Sequence, residues 1–298
     1  MKPFFKLLPV LLLTCSFSVT LWGKPQHIIL TGSQGTGSFI FTSELSRIWE
    51  TSGTDRNQEI VSRPETSQVS RLRQLRNNRV TAAIIDAETA FEQLNKYPEL
   101  RVLSVLWRNW LHVLGTVPGQ YLTLASTKTM LVHDNTMHFV RVWKNMSPDT
   151  KFSWFNSDSI PDFSEGFTEE VLAVTAPAPL HEINSWLEQF PGIRLLSLDN
   201  QLIRASRSTF NWLAPKKIPA NTYLYQSEPI ESVAWHPVLV VRRDFPNPSA
   251  TKLLQLIYAQ SNSLNPHPLL ENLRRADNIA FQKIYAFHPA AKSYFKFK

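Results

Sequence analysis

The chain contains a single cysteine, and this cysteine lies in a segment that we expect to be cleaved off. Cys15 falls within residues 1–23, where Lys2 and Lys6 precede an uncharged apolar run that extends to Trp22. This pattern is typical of a cleaved export signal. Cleavage after Gly23 leaves a chain without cysteine, which excludes disulfides and thiol catalysis and fits a periplasmic location. The alternative is a lipoprotein anchored through Cys15.

Long apolar runs are also missing after this segment. No later stretch approaches the ~18 apolar residues that a membrane-spanning helix needs. We therefore expect the exported chain to be soluble.

Motifs for catalysis and for metal binding are absent as well. The sequence has no G-x-S-x-G and no H-E-x-x-H, and no Walker lysine follows its glycines. His133 and His138 are five residues apart, which is not the usual spacing of paired metal ligands on a helix. We expect no enzyme activity, no cofactor and no metal.

The net charge of +7 comes without the basic and aromatic pattern of a nucleic-acid module. Nucleic acid is therefore not an expected partner. The charge favours an anionic ligand instead.

What the chain does have is a cluster of glycines. Gly32, Gly35 and Gly37 lie between the apolar run 27–30 and a helical pattern that begins at Ile40. Glycine permits positive φ and close approach of a ligand, and the start of a helix presents unpaired N–H groups. The pattern indicates either an anion-binding turn or a tight connection without a ligand.

Strand and helix patterns alternate along most of the chain, which predicts an α/β fold with mostly parallel sheets. A chain of 298 residues is long enough for two lobes. We assign lobe one to 24–115 plus 227–298 and lobe two to 116–226. The late helices, near 248–286, are expected to cover lobe one, so that the chain crosses between the lobes twice.

Small polar residues recur where the predicted strands end. They are Gly32 with Ser33, Thr66 with Ser67, Asp86, and Ser126 with Thr127. Such residues are preferred helix N-caps, so each has a purely structural explanation. Together they predict one ligand crevice, because ligands of open α/β sheets bind beyond the carboxyl ends of the strands.

Two surface features have competing interpretations. Arg71, Arg73, Arg76 and Arg79 either form a basic face for a permease or a lipid surface, or are simply solvated. The nine tryptophans are either a carbohydrate platform or core residues.

Several segments resemble the TAXI family, the solute receptors of one branch of TRAP transporters. The likeness extends over most of the chain beyond the signal. The matching segments are Thr31–Phe39, Thr66–Leu72, Val80–Asp86, Trp110–Val113, Ile218–Tyr223 and His288–Phe295.

The resemblance implies a periplasmic-binding-protein-like architecture, in which two α/β lobes joined by a hinge close on a small anionic solute. It also implies a TRAP-type membrane permease as partner. By analogy, Gly32, Ser33, Gly37, Ser38 and Phe39 line the ligand in lobe one. The further contacts are Thr66, Ser67 and Asp86 in lobe one and the hydroxyls of Ser126 and Thr127 in lobe two.

Lobe two departs from the family pattern. Residues 124–129 lack the family's glycine, and Pro177 stands where glycine is usual; proline has no N–H to donate. The alternative is therefore an orphan family member with a changed ligand, acting as a sensor or as a surface-binding protein.

Overall fold

The computed structural model describes residues 26–34, 36–52, 58–116, 121–122, 128–133, 136–155, 171–259, 269 and 273–297. The predicted signal at 1–23, Gly35, Ser126 and Thr127 lie outside these ranges. Within them, no helix combines the length and the apolar character that crossing a membrane requires.

Strands and helices alternate through most of the described chain. The strands are β1 (Gln26–Thr31), β2 (Glu59–Pro64), β3 (Ala82–Ile85), β4 (Leu100–Val105), β5 (Asn109–Gly115), β6 (Tyr121–Leu122), β7 (Thr129–His133), β8 (Lys151–Phe155), β9 (Val171–Ala176), β10 (Arg194–Leu195), β11 (Ser197–Leu198), β12 (Ala214–Ile218), β13 (Ile230–Trp235) and β14 (Val238–Arg242). The α-helices are α1 (Gly37–Thr51), α2 (Gln68–Arg76), α3 (Ala87–Gln93), α4 (Met137–Met146), α5 (His181–Gln189), α6 (Asn200–Thr209), α7 (Asn247–Ala259), α8 (Arg275–Phe281) and α9 (Pro289–Phe295).

Two large sheets confirm the predicted α/β class. The first has the order β2-β1-β3-β14-β4, and the second has the order β12-β13-β5-β9-β7-β8 with β10 also on β5. Pairing is parallel within β2-β1-β3 and within β9-β7-β8. The other pairs of these two sheets are antiparallel, so both sheets are mixed and not mostly parallel as predicted. Each antiparallel pair contains β4, β5, β13 or β14, the strands through which the chain passes from one sheet to the other.

The chain passes between the sheets through two adjacent segments, residues 106–108 and 236–237. Leu106 donates its N–H to the Pro237 carbonyl at 2.9 Å, and the His236 ring nitrogen Nδ1 lies 2.9 Å from the Leu106 carbonyl. The apolar run 232–241 is therefore split at Pro237, with one half in each sheet. The predicted lobe limits at 115/116 and 226/227 stay a proposal. The membership of the strands in the two sheets favours residues 106–108 and 236–237 as the lobe limits instead.

The core of the first sheet follows directly from the sequence pattern. All four residues of β3 are buried, as expected for a strand covered on both faces. In α1, Phe41, Leu45, Ile48 and Trp49 share one helical face and are at most 4% exposed. The late helices α7, α8 and α9 pack on β4, as predicted.

The second sheet buries both of its faces in separate clusters. One contains Trp143 and Trp235, and the other contains Trp110 and Trp186. Seven tryptophans in all are buried, and Trp154 is exposed. Core packing thus accounts for most of them.

Candidate functional site

The carboxyl ends of β1 and β2 form one wall of an open cavity of about 550 Å³. It is lined by Ser33, Gln34, Pro64, Glu65 and Thr66. The two loops are joined at their base, because Glu65 donates its N–H to the Thr31 carbonyl at 2.9 Å. The structure therefore brings Ser33 and Thr66 together, as the positions of the strand ends predicted.

The turn before α1 is held by its own hydroxyl groups. The N–H of Gly32 donates to Ser38 Oγ at 2.8 Å, and Thr36 Oγ1 donates to the Ser33 carbonyl at 2.7 Å. A Cβ at Gly32 would lie 2.8 Å from Thr36 Oγ1, closer than real Cβ contacts. Glycine is needed here for close approach and not for positive φ, which neither Gly32 nor Gly37 adopts.

The start of α1 has no side chain to cap it. Thr36 is the N-cap residue, but its side chain accepts no backbone N–H of the helix and instead lies 3.2 Å from Ser38 Oγ. The first turn contains no acidic residue. The backbone N–H groups of the first turn, at Gly37, Ser38 and Phe39, have no partner within an α-helix. With the helix dipole, they favour an anion at this end.

Gly37 also has a packing role. A Cβ built on it would lie 3.4 Å from Trp107 Cζ2 and 3.7 Å from Leu269 Cδ1. Trp107 is buried in the first crossing segment, where its Nε1 donates to Asn109 Oδ1 at 3.0 Å. The start of α1 thus lies against the crossing between the sheets.

The start of α2 is capped by the chain itself. Ser67 is its N-cap and accepts the Ser70 N–H at Oγ, at 3.2 Å. Glu65 accepts the Ser67 N–H at 3.2 Å and the Ser70 hydroxyl at 2.9 Å. These two hydrogen bonds, that of the Ser70 hydroxyl first, hold the pKa of Glu65 below its ordinary value.

A buried arginine supports the turn from below. Arg71 is 6% exposed and donates to the carbonyls of Glu65 at 2.6 Å, Ile84 at 2.7 Å and Thr66 at 3.3 Å. Burial lowers the pKa of Arg71, opposed by the charges of Asp86 and Glu65. The interpretation of Arg71 as part of an exposed basic face was wrong, because its guanidinium is buried and donates hydrogen bonds to carbonyls at the ends of β2 and β3.

Asp86 is connected to the same turn through Gln68. The side-chain amide of Gln68 donates to Asp86 Oδ2, and the backbone N–H of Asp86 donates to Gln68 Oε1 at 2.8 Å. Asp86 precedes α3 without capping it by its side chain. The ends of β2 and β3 are thus physically connected, although Asp86 does not line the cavity.

The ligand roles of Gly32, Ser33, Gly37, Ser38, Phe39, Thr66, Ser67 and Asp86 stay predictions, and Ser126 and Thr127 lie outside the described residues. Sequence reasoning missed Glu65 and the full role of Arg71. The available signal was the order Glu65, Ser67, Ser70, in which an acidic residue stands two positions before an N-cap.

The second sheet contributes a buried polar pair that sequence reasoning also missed. Tyr223 OH lies 2.7 Å from His112 Nε2 and accepts the Leu180 N–H at 2.9 Å. Burial lowers the pKa of His112 to about 3 and raises the pKa of Tyr223. At neutral pH the imidazole ring is therefore uncharged and the phenol keeps its proton, so the two side chains share a hydrogen bond between neutral groups.

Among the described residues, no group of three or more histidine, cysteine or acidic side chains is placed to hold a metal ion.

Residues 168–298 match the NMT1-like family. The matched residues include strands β9, β10, β12 and β13 of the second sheet and the return crossing at residues 236–237. They also include the helices α7, α8 and α9, which cover the first sheet. The match leaves out the glycine turn and the cavity at the ends of β1 and β2. Among curated proteins, no sequence matches the chain.

Solved structures are similar in fold. Rpa4515 of R. palustris, solved with adipate, has a TM-score of 0.51 and 11% identity, over 92% of this chain and 94% of that protein. This likeness supports the fold alone.

Two further structures are more distant. The cysteine-binding protein of Campylobacter jejuni has a TM-score of 0.41 and 14% identity, over 80% of this chain and 84% of that protein. The periplasmic domain of B. pertussis BvgS has a TM-score of 0.44 and 9% identity, over 86% of this chain. The chain spans only 42% of that domain. These TM-scores are too low to add to the fold assignment.

Proposed function

We propose that the chain is an extracytoplasmic solute receptor that closes on a small carboxylate or amino-acid-like solute. The observation that carries this proposal is the uncapped start of α1, which follows a loop whose residues Ser33 and Gln34 line an open cavity at the strand ends. Backbone N–H groups there replace the hydration of an anion, and closure of the second lobe strengthens those bonds by excluding water.

The relatives are consistent with this proposal. Rpa4515, which has the same fold, holds adipate, a dicarboxylate. The resemblance of six segments to TAXI receptors supports the same solute class, an exported location and delivery to a TRAP-type permease.

Thermal-shift and calorimetric titration against dicarboxylates, oxo-acids and amino acids tests solute binding. A ligand at ~100 times its Kd stabilises the folded chain by about 2.7 kcal/mol. Ser33→Ala and Thr66→Val, which alter the cavity, should weaken binding, whereas Ser208→Ala on α6 serves as control. No shift with any member of the panel contradicts the proposal.

Delivery is tested separately, by uptake of the bound solute in cells with and without the chain. A permease gene beside that of the chain would support delivery. Binding without uptake would instead favour the sensor alternative.

A further inference from the structure

The two helix starts at the ends of β1 and β2 differ in charge. At the start of α1 the N–H groups have no capping side chain. At the start of α2 the carboxylate of Glu65 already occupies the position in which an anion would bind. A solute carboxylate is therefore favoured at the first start and repelled at the second.

Glu65 retains capacity for another donor. Its Oε2 accepts from the Ser70 hydroxyl and from Gln74 Nε2, both at 2.9 Å, while Oε1 accepts only from the Ser67 N–H at 3.2 Å. A carboxylate has roughly four lone-pair positions, so one on Oε1 stays available. Glu65 lines the cavity, and its bond to Ser67 is at the exposed surface.

The two nearby arginines, Arg71 and Arg63, do not donate to Glu65 Oε1. Arg71 donates to main-chain carbonyls beneath the loop, and Arg63 donates to Gln74 Oε1 at 2.7 Å. Among the residues that the structure describes, the groups that donate to the Glu65 carboxylate are a hydroxyl, a backbone N–H and a neutral amide. An ammonium group from a solute would be the first charged hydrogen-bond donor to the carboxylate, and charge-assisted bonds are stronger than neutral ones.

We propose that Glu65 selects solutes that carry an ammonium group over solutes that carry only carboxylates. This inference rests on the proposed function, since it concerns the same cavity. The solute carboxylate would lie at the start of α1, and its ammonium group would bind Glu65 Oε1. Glu65 is thus a specificity-determining residue as well as a cap for α2.

Three five-carbon probes of equal length test the proposal: glutarate, 5-aminopentanoate and cadaverine. Their affinities for the purified chain are measured by calorimetry. We expect 5-aminopentanoate to bind at least about tenfold more tightly than glutarate. In Glu65→Gln, which keeps the size of the side chain and removes its charge, this preference should disappear.

Glu99→Gln is the matched control, because Glu99 pairs with Arg76 and does not line the cavity. It should keep the wild-type preference. If glutarate binds as tightly as 5-aminopentanoate, the inference is overturned although solute binding stands. An equal loss of both affinities in Glu65→Gln also overturns it, because Glu65 then acts only as a structural cap. If none of the three probes binds, the inference fails, and the proposed function fails with it only when no member of the wider panel binds either.

Discussion

Arg108 and Asp277 join the first crossing segment, residues 106–108, to helix α8. Arg108 Nη2 donates to both carboxylate oxygens of Asp277, at 2.9 and 3.1 Å, with the two side chains only 20% and 12% exposed. His236 of the return crossing lies 3.9 Å from the same carboxylate. The two chain crossings therefore share one anchoring group, the carboxylate of Asp277.

Removing the carboxylate of Asp277 should destabilise the chain, and this effect should be coupled to that of removing Arg108. Asp277→Ala leaves the cation of Arg108 without its partner, and we expect a loss of about 2–3 kcal/mol in the free energy of unfolding. Adding Arg108→Met should recover part of the loss, because the unpaired charge is then gone. Urea unfolding of both single variants and of the double variant measures the coupling. Strictly additive losses would contradict the ion pair as the anchoring interaction.

Stability should fall below neutral pH because of His112. Its pKa is about 3 in the folded chain, owing to burial, and about 6.5 when unfolded. Between these values only the unfolded chain binds the proton, so stability decreases as pH drops below 6.5. At pH 5 the expected cost is about 2 kcal/mol. Burial also lowers the pKa of His236, which adds to the loss in the same direction.

Unfolding in urea at pH 7 and pH 5 measures this dependence. His112→Gln, which keeps an acceptor for Tyr223, should be less sensitive to pH by about 2 kcal/mol over this range. His181→Gln is the control, because His181 is exposed on α5. An unchanged pH dependence in His112→Gln would rule out this histidine as its source.

The fold was predictable where local pattern decides and less so where distant pairing decides. The apolar run ending at Ile85 predicted β3, and the helical spacing that begins at Ile40 predicted α1, whose buried residues include Leu45, Ile48 and Trp49. Pro237 interrupts the apolar run 232–241 in the sequence, but the sequence does not indicate that the two halves of this run enter different sheets. Strand alternation describes which face is buried, not which partner strand the chain meets.

The site was predictable to a similar degree. Ser33 and Thr66 share a cavity because the ends of parallel strands lie at one edge of a sheet. The burial of Arg71 depends on carbonyls from β3 and from the loop after β2, so the helix pattern alone indicated an exposed residue. Glu65 was missed because an acidic residue before a helix is ordinary in a sequence, and only the cavity makes it notable.

Arg71 should be essential for the arrangement of these strand ends. Arg71→Lys keeps the charge but cannot reach three carbonyls at once, so we expect a loss of about 2 kcal/mol or more. Arg73→Lys, at an exposed position of the same helix, should change stability by less than about 0.5 kcal/mol. Thermal and urea unfolding compare the two variants. Equal effects would mean that the charge, and not the forked hydrogen bonding, supports the turn.

Gly32 provides a test of the turn through a matched pair of substitutions. In Gly32→Ala the new Cβ would lie 2.8 Å from Thr36 Oγ1 and 3.3 Å from Thr36 Cγ2, so the turn must shift. We expect a loss of about 1–3 kcal/mol and weaker solute binding. Gly37→Ala serves as the control for stability alone, because its Cβ meets Trp107 at 3.4 Å, an ordinary contact.

The double variant Gly32→Ala with Thr36→Ala distinguishes steric from conformational causes. Thr36→Ala removes two of the three nearest atoms and leaves Ser38 Oγ at 3.2 Å. It also removes the hydrogen bond to the Ser33 carbonyl, which alone should cost about 1 kcal/mol. Because Gly32 does not adopt positive φ, alanine is compatible with its backbone once Thr36 is shortened. The double variant should therefore be more stable than the sum of the single losses predicts, with solute affinity partly restored. If the losses add without recovery, the glycine is required for a reason other than its distance from Thr36.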